Sequence, residues 1–347
     1  MCCCSRKRWR STIIYTMVVS LKAVSMKNRV KKMYKHQRSN IKDLGEKWGT
    51  KEWFESKFNN LDNFGDKWGH RWRGSQKFRY DLYIKILKSI LPTEEKIKIL
   101  DIGCALGDFT KRVWQLDPKN EIYGIDISEN AIARVSKEYP NMKFKVESLP
   151  ELSFRDNSFD LILCLEVLYY LNAEDRIKSL ENIRRVLKPG GYLLFSGVLD
   201  GGIRYFAEEE IIKLISKYFD IERIEYNYAK IYTAIESKFL FLLNLCDIIE
   251  LTLNMPDEVF LKWCDKRNDK QAVEKLKKIR KNINRIPFGR NIVKAIGRFM
   301  RTIIREVISW KFLVSLLYRV TKLILREKGK TQIIILARNK NKGEIYE

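Results

Sequence analysis

The chain has 347 residues, 45% apolar and 32% charged, a globular composition that excludes wholesale disorder. Its net charge is +24, yet residues 1–42 hold 12 basic residues and no acid, residues 240–330 hold 21 basic and 9 acidic, and the remainder sums to zero, which excludes a protein basic throughout. Seven cysteines without CxxC spacing and only two histidines, His36 and His70, argue against a zinc site and for a reducing compartment, and no run of about 18 uncharged apolar residues reads as a transmembrane helix.

In chain order, Arg6, Lys7, Arg8 and Arg10 precede an apolar stretch, Ile13–Leu21, as in a signal peptide. Lys22 interrupts that stretch and no cleavage site follows, while Cys2, Cys3 and Cys4 beside basic residues also fit lipidation. The simplest expectation for residues 1–42 is a basic, disordered leader. Residues 43–94 form an aromatic, turn-rich segment, with Trp48, Trp53, Trp68 and Trp72 set among glycines. A hexapeptide pattern occurs twice in it, at Leu44–Gly49 and Phe64–Gly69, too little for a repeat architecture. Residues 76–91 read as a helix with Phe78, Leu82, Ile86 and Ile90 on one face, and Pro92 lies just past its end.

The period then changes. Lys96–Ile102, Ile122–Ile127, Met142–Val146 and Phe159–Leu165 read as strands, separated by helices from Asp108 and over Glu129–Tyr139. A helix over Ala173–Leu187 follows, then a turn at Lys188-Pro189-Gly190-Gly191 and a fifth strand, Tyr192–Val198. A helix over Ala207–Tyr218 and a strand over Ile221–Tyr228 come next, and the last strand-like run, Gln332–Ala337, arrives a hundred residues later. Alternating strands and helices predict a parallel sheet covered on both faces. The late strand predicts that residues 95–235 and 331–340 form one core interrupted by a basic helical insertion, 236–330, with 341–347 as a tail. An isolated apolar strand without a sheet would be an aggregation liability.

The chemistry gathers at Ile99-Leu100-Asp101-Ile102-Gly103-Cys104-Ala105-Leu106-Gly107-Asp108, where a strand ends in an acid, glycines turn and a helix begins. The spacing is not GxGxxG, and no lysine follows to hold phosphates. Asp126 ends the next strand, where an acid can accept from two ribose hydroxyls. An acid at the first turn disfavours a pyrophosphate and suits a nucleoside that carries an ammonium group.

These residues resemble the class I S-adenosylmethionine-dependent methyltransferases, in five blocks: 101–107, Gly-Ile-Asp-Ile-Ser at 124–128, Asn-Ser-Phe-Asp-Leu-Ile at 157–162, Glu-Val-Leu-Tyr-Tyr-Leu at 166–171 and Leu-Lys-Pro-Gly-Gly at 187–191. The first and fourth blocks look like the nodulation-factor N-methyltransferase group, which methylates a sugar amine. The resemblance implies an α/β, Rossmann-like doubly wound seven-stranded sheet with an antiparallel last strand, here with the helical insertion before it. It implies S-adenosyl-L-methionine as cofactor, with Asp101, Gly103, Cys104, Ala105 and Gly107 around its methionine part. Asp126 would hold the ribose, Ile127 would pack on the adenine, Glu147, Ser148 and Leu149 would lie at the adenine edge, and Leu165 would close the strand end. Ala105 replaces the family's middle glycine, a departure tolerated if that residue keeps negative φ.

Methyl transfer from a sulfonium is an in-line displacement, so the protein positions an acceptor and takes up a proton where one is released. The candidates are Glu166, Tyr169, Tyr170 and His70, and only one of the two tyrosines is expected to face the site. The segment 48–80 resembles the lid region of such enzymes. In the insertion, Val293, Ile296, Phe299, Ile303 and Val307, then Leu313, Leu316, Val320 and Leu323, recur at helical spacing with Lys and Arg interspersed. Residues 290–326 thus suit an anionic membrane surface or ordinary helix packing; nucleic acid ranks lower, since no aromatic platform is interleaved. The expected function is methyl transfer to an N or O atom of a small-molecule, saccharide or lipid-linked acceptor, in the cytoplasm or peripherally on the inner face of a membrane. The alternative is a non-catalytic scaffold of the same fold whose insertion binds a membrane or a protein partner.

Overall fold

The computed structural model describes residues 48–58, 66, 68–92, 95–202, 205–265 and 269–340. The expected leader, most of the first hexapeptide, half of the second and the tail lie outside the described residues. Helix α1, Lys51–Phe58, is followed by α2, Gly74–Leu87. The most buried side chains of α2 are Gln76, Tyr80, Tyr83, Ile86 and Leu87; of the expected face, Ile86 is buried and Leu82 and Ile90 pack half-buried on the same core, while Phe78 departs from it. The reason is that α2 is covered on two sides. Tyr80, Tyr83, Ile86 and Leu87 join the sheet core, while the Phe78 ring lies 5.0 Å from that of Tyr318 in the insertion.

The remaining elements alternate as expected. Strand β1, Lys98–Ile102, leads to α3, Asp108–Trp114; β2, Glu121–Asp126, to α4, Glu129–Glu138; and β3, Lys143–Val146, to β4, Phe159–Leu165. A short 3₁₀ turn, Leu168–Tyr170, precedes α5, Ala173–Val186. Then come β5, Leu187–Val198; α6, Glu208–Ser216; and β6, Phe219–Asn227. The expected turn at 188–191 lies inside β5 as an irregularity, because pairing with β4 jumps from Phe159↔Leu187 to Leu161↔Tyr192 and the intervening residues bulge.

Five helices follow before the last strand: α7, Lys230–Asn254; α8, Asp257–Asp265; α9, Lys270–Asn284; α10, Gly289–Ser309; and α11, Lys311–Leu325. The helical run thus begins at Lys230 rather than at 236. Strand β7, Gln332–Asn339, slots antiparallel between β5 and β6, giving one seven-stranded sheet in the order β3-β2-β1-β4-β5-β7-β6. The strand order reverses between β1 and β4. Ligands of open α/β sheets bind at the carboxyl ends of the strands on either side of such a switch. The sheet core is apolar: Ile99, Leu161, Leu163, Leu194, Ile334 and Leu336 meet Tyr83, Ile86 and Leu87 of α2 and Phe109 and Val113 of α3.

Inside the insertion, Leu243, Ile304 and Ile308 cluster with Trp72, Phe239 and Leu240. Buried Arg280 ties the α7–α8 corner by donating to the Met255 carbonyl at 2.7 Å, to the Thr252 carbonyl and to Asp257. Among the described residues no helix is long and apolar enough to cross a membrane.

Candidate cofactor and acceptor site

At the end of β1, Asp101 is buried, and the Thr110 hydroxyl of α3 donates to its Oδ2 at 2.6 Å. The chain then turns sharply, with the Gly103 and Cys104 N–H groups both donating to the Ile125 carbonyl, at 2.8 and 2.9 Å. Gly103 and Gly107 have φ of 75° and 73°, where a side chain is strained. Space forbids one as well: a Cβ on Gly103 would lie 2.5 Å from Val167 Cγ2, and one on Gly107 2.4 Å from Val135 Cγ2. Ala105 has φ of 48°, so the condition of negative φ is not met there. Its N–H donates to Asp126 Oδ2 at 3.0 Å, so the acid of the neighbouring strand holds the strained residue in place.

Asp126 Oδ1 also accepts from the Ser128 N–H at 2.9 Å, and each oxygen keeps a further lone pair for a ligand. Burial pushes Asp126 up to about 6, against the backbone donors of Ser128 and Ala105 and with the Glu55 charge adding to the rise. Burial likewise pushes Asp101 up to about 7, against the Thr110 hydrogen bond and with the Asp126 charge in support. Neither forms an ion pair within 4.0 Å with a described cation. Two buried acids held short of full ionisation make a site for a ligand with positive charge.

The cleft at this turn holds about 460 Å³ of empty space, part of it open to solvent. Of the expected residues it is lined by Asp101, Gly103, Cys104, Ala105, Leu165, Glu166 and His70. Gly107, Asp126, Ile127, Glu147, Ser148, Leu149, Tyr169 and Tyr170 do not line it. The C-terminal part of α1 meets the start of α4 and the glycine turn. Glu55 accepts from Ser128 Oγ at 3.0 Å and from the Glu129 and Asn130 N–H groups at 2.5 and 3.3 Å, while Phe58 and Trp68 pack on Leu106 and Ala105. Burial would raise the Glu55 pKa, but those donors outweigh it and the carboxyl is lowered. Glu147 is committed elsewhere: it accepts from the Ser153 N–H at 2.6 Å and the Ser153 hydroxyl at 2.8 Å, and pairs with Lys145 at 2.6 Å. Leu149 is buried, and Ile127 and Ser148 are half-buried.

At the end of β4, Glu166 has φ of 63°, and its N–H donates to the Ser196 carbonyl at 3.0 Å. Its Oε1 accepts from Ser196 Oγ at 2.9 Å, and that Oγ lies 2.7 Å from the Tyr83 hydroxyl. Its Oε2 lies 3.4 Å from both Arg79 Nη1 and the Tyr169 hydroxyl. Arg79 also lines the cleft, and its buried Nε has no hydrogen-bond partner. Tyr169 is the more buried tyrosine, in ring contact with Tyr205 and Phe206, and burial keeps its phenol protonated. Tyr170 faces Phe54 at 4.9 Å, edge to face.

His70 sits on a turn fixed by Asp66, whose two carboxylate oxygens accept from the His70 and Arg71 N–H groups. Its Nδ1 is 2.7 Å from the Tyr80 hydroxyl. Burial lowers His70 to about 4; Asp66 opposes the fall, and Arg79, Arg73 and Arg71 reinforce it. A neutral imidazole with so low a pKa is a weak proton acceptor. Arg79, Tyr80, Tyr83 and Ser196 were missed in the sequence reading. The signal for the first three was present as a polar i, i+1, i+4 set on the helix ahead of β1.

The donor set fits an amino-acid-bearing nucleoside such as S-adenosylmethionine: buried acids for positive charge, and an orphaned guanidinium N–H for a carboxylate. Residues 100–195 match the family model described as a methyltransferase domain. A putative methyltransferase of Bacillus subtilis is 34% identical over 122 residues, 33% of this chain and 47% of the relative. Nodulation protein S of Sinorhizobium fredii is 28% identical over 163 residues, 44% of this chain and 74% of the relative. Several curated relatives are matched over about half of their length or less. Among solved structures, the N-methyltransferase NodS of Bradyrhizobium japonicum in complex with S-adenosylhomocysteine is 24% identical, covering 50% of this chain and 88% of that one, at a TM-score of 0.43. Residues 100–195 thus carry a methyltransferase domain, and the ordered sequence blocks and the strand order agree with the resemblance to the class I S-adenosylmethionine-dependent methyltransferases.

Proposed function

We propose that the chain is an enzyme that moves a methyl group from S-adenosylmethionine to an N or O atom of a small-molecule, saccharide or lipid-linked acceptor. The cofactor, when bound, supplies an electrophilic methyl group on a sulfonium. Arg79 offers its unpaired Nε–H to the carboxylate of the methionine part, and Asp101 with the Gly103 backbone receives the ammonium side. Asp126 holds the ribose, with Ile127 packed beside the adenine. Glu166 is the group that takes a proton from the acceptor or orients its amine. Ser196 and Tyr83 fix its Oε1, while Arg79 stabilises its charge. His70 positions Tyr80 rather than moving a proton. Behind the cleft, Tyr169 reaches Glu166 and Tyr170 stands against Phe54 of α1.

The observation that carries this reading is the buried acid pair, Asp101 and Asp126, bracing a positive-φ turn beside an unpaired arginine donor. A proposed second partner is an anionic membrane surface met through residues 290–326. The test is calorimetric titration with S-adenosylmethionine, followed by transfer of a labelled methyl group into cell extract separated into organic and aqueous phases. Binding with transfer is expected. Binding without transfer into either phase, or no binding at all, refutes the enzyme reading and favours the scaffold alternative.

A further inference from the structure

Among the described residues 22 large apolar side chains are exposed, and 20 of them lie between Phe241 and Ile324. On α10, Ile292, Ile296, Phe299 and Ile303 recur at intervals of four, three and four, one stripe along the helix. Ile304 and Ile308 turn instead onto Leu243 and Trp72, so only part of the apolar arc of α10 is used in packing. The stripe continues in kind past the corner: Trp310 is 56% exposed, and Phe312 and Leu323 of α11 are 80% and 78% exposed. Residues 285–330 carry 12 basic and two acidic side chains.

We propose that α10 and α11 dock on an anionic lipid bilayer, with Phe299, Trp310 and Phe312 at the level of the headgroups. Apolar stripe and basic flanks together select the occupant. A nucleic acid offers the charge but no apolar depth. A second copy of this chain offers apolar surface but brings the same positive charge against it, and so does the basic segment 1–42. A bilayer containing acidic lipid offers both.

The docked surface is tied to the cleft through α2. The Tyr232 hydroxyl of α7 donates to the Ile308 carbonyl at 2.8 Å, Gly74 lies against Ile308 and Val314, and Phe78 meets Tyr318. The same helix carries Arg79, Tyr80 and Tyr83 into the cleft wall. Resting on the methyltransferase reading, this deepens it to a lipid-linked acceptor, taken up from the surface on which the enzyme sits.

The test is flotation of the full chain with vesicles of equal parts phosphatidylglycerol and phosphatidylcholine, against phosphatidylcholine alone. Binding is expected to the first only. Phe299→Glu with Phe312→Glu should weaken it about tenfold or more, and Arg298→Glu with Arg319→Glu about fivefold or more for each basic residue reversed. Both double variants alter exposed side chains, so circular dichroism and S-adenosylmethionine affinity should be unchanged. Equal absence of binding to both vesicles overturns the proposal. So does vesicle binding that survives both double variants, or a concentration-dependent dimer that the apolar variants abolish while vesicle binding persists. Lost vesicle binding with cofactor binding intact removes only the docking; the reverse removes only the methyltransferase reading.

Discussion

Cofactor affinity should rise with pH, because Asp101 must ionise to meet the cationic side of the ligand. Asp101 titrates near 7 and Asp126 near 6, both raised chiefly by burial. From pH 8 to pH 6 the ionised fraction of Asp101 falls about tenfold, so affinity for S-adenosylmethionine should drop about tenfold, or about 1.4 kcal/mol. The sign for stability is opposite. A carboxyl whose folded pKa is raised binds its proton more tightly in the folded chain. The associated stability is complete below the unfolded pKa near 4 and is lost as pH rises through 6 and 7. Cofactor-free protein should therefore melt at a lower temperature at pH 8 than at pH 5, as far as these two groups decide it, and added cofactor should narrow the gap. The assay is calorimetry at pH 6, 7 and 8 in buffers of different ionisation enthalpy, which counts protons released on binding. Asp101→Asn keeps an acceptor for Thr110 and should lose most of the slope. Equal slopes for wild type and Asp101→Asn would refute the reasoning, whatever the absolute affinities.

Three further outcomes are expected. Gly103→Ala forces a side chain at φ of 75° and 2.5 Å from Val167; denaturant unfolding should show a loss of about 2–4 kcal/mol, and cofactor binding should fail with it. Glu55→Ala removes the carboxylate that caps the α4 N-terminus, costing about 1–2 kcal/mol. Since the Glu55 pKa is lowered, this difference should be present at pH 7 and fade as pH falls below the ordinary glutamate range, which paired thermal melts would show. Glu166→Gln should slow methyl transfer by about 10²–10⁴-fold with cofactor affinity largely kept, whereas His70→Gln should leave the pH–rate profile in place. A profile that loses its acid limb only in the histidine variant would reverse those roles.

The sheet was readable because its signals are local. Strand periods, the acid–glycine turn and Asp126 each lie within one βα unit, and β7 announced itself as an apolar run that only a sheet could bury. The departure of Phe78 from the core face of α2 was not readable, because Phe78 and Tyr80 are both apolar and the helix is covered on two sides. Nor was the positive φ of Ala105, which depends on an acceptor 21 residues away. Glu55, Arg79 and Ser196 escaped for the same reason on a larger scale. Glu55 meets its partners 73 to 75 residues on, and Ser196 reaches back 113 residues to Tyr83. No window of sequence contains such a pair.

The position of β7 also sets a schedule for biosynthesis. Asn227 at the end of β6 bonds Gln332 at the start of β7 across 105 residues. A ribosome adding about 5–20 residues per second needs roughly 5–20 s to cover that interval. During it β5 offers an unpaired edge and β6 has no strand partner in the sheet at all. The nascent chain must therefore carry two sticky strands and a basic, apolar helical run together, before the one strand that seals both edges has been made.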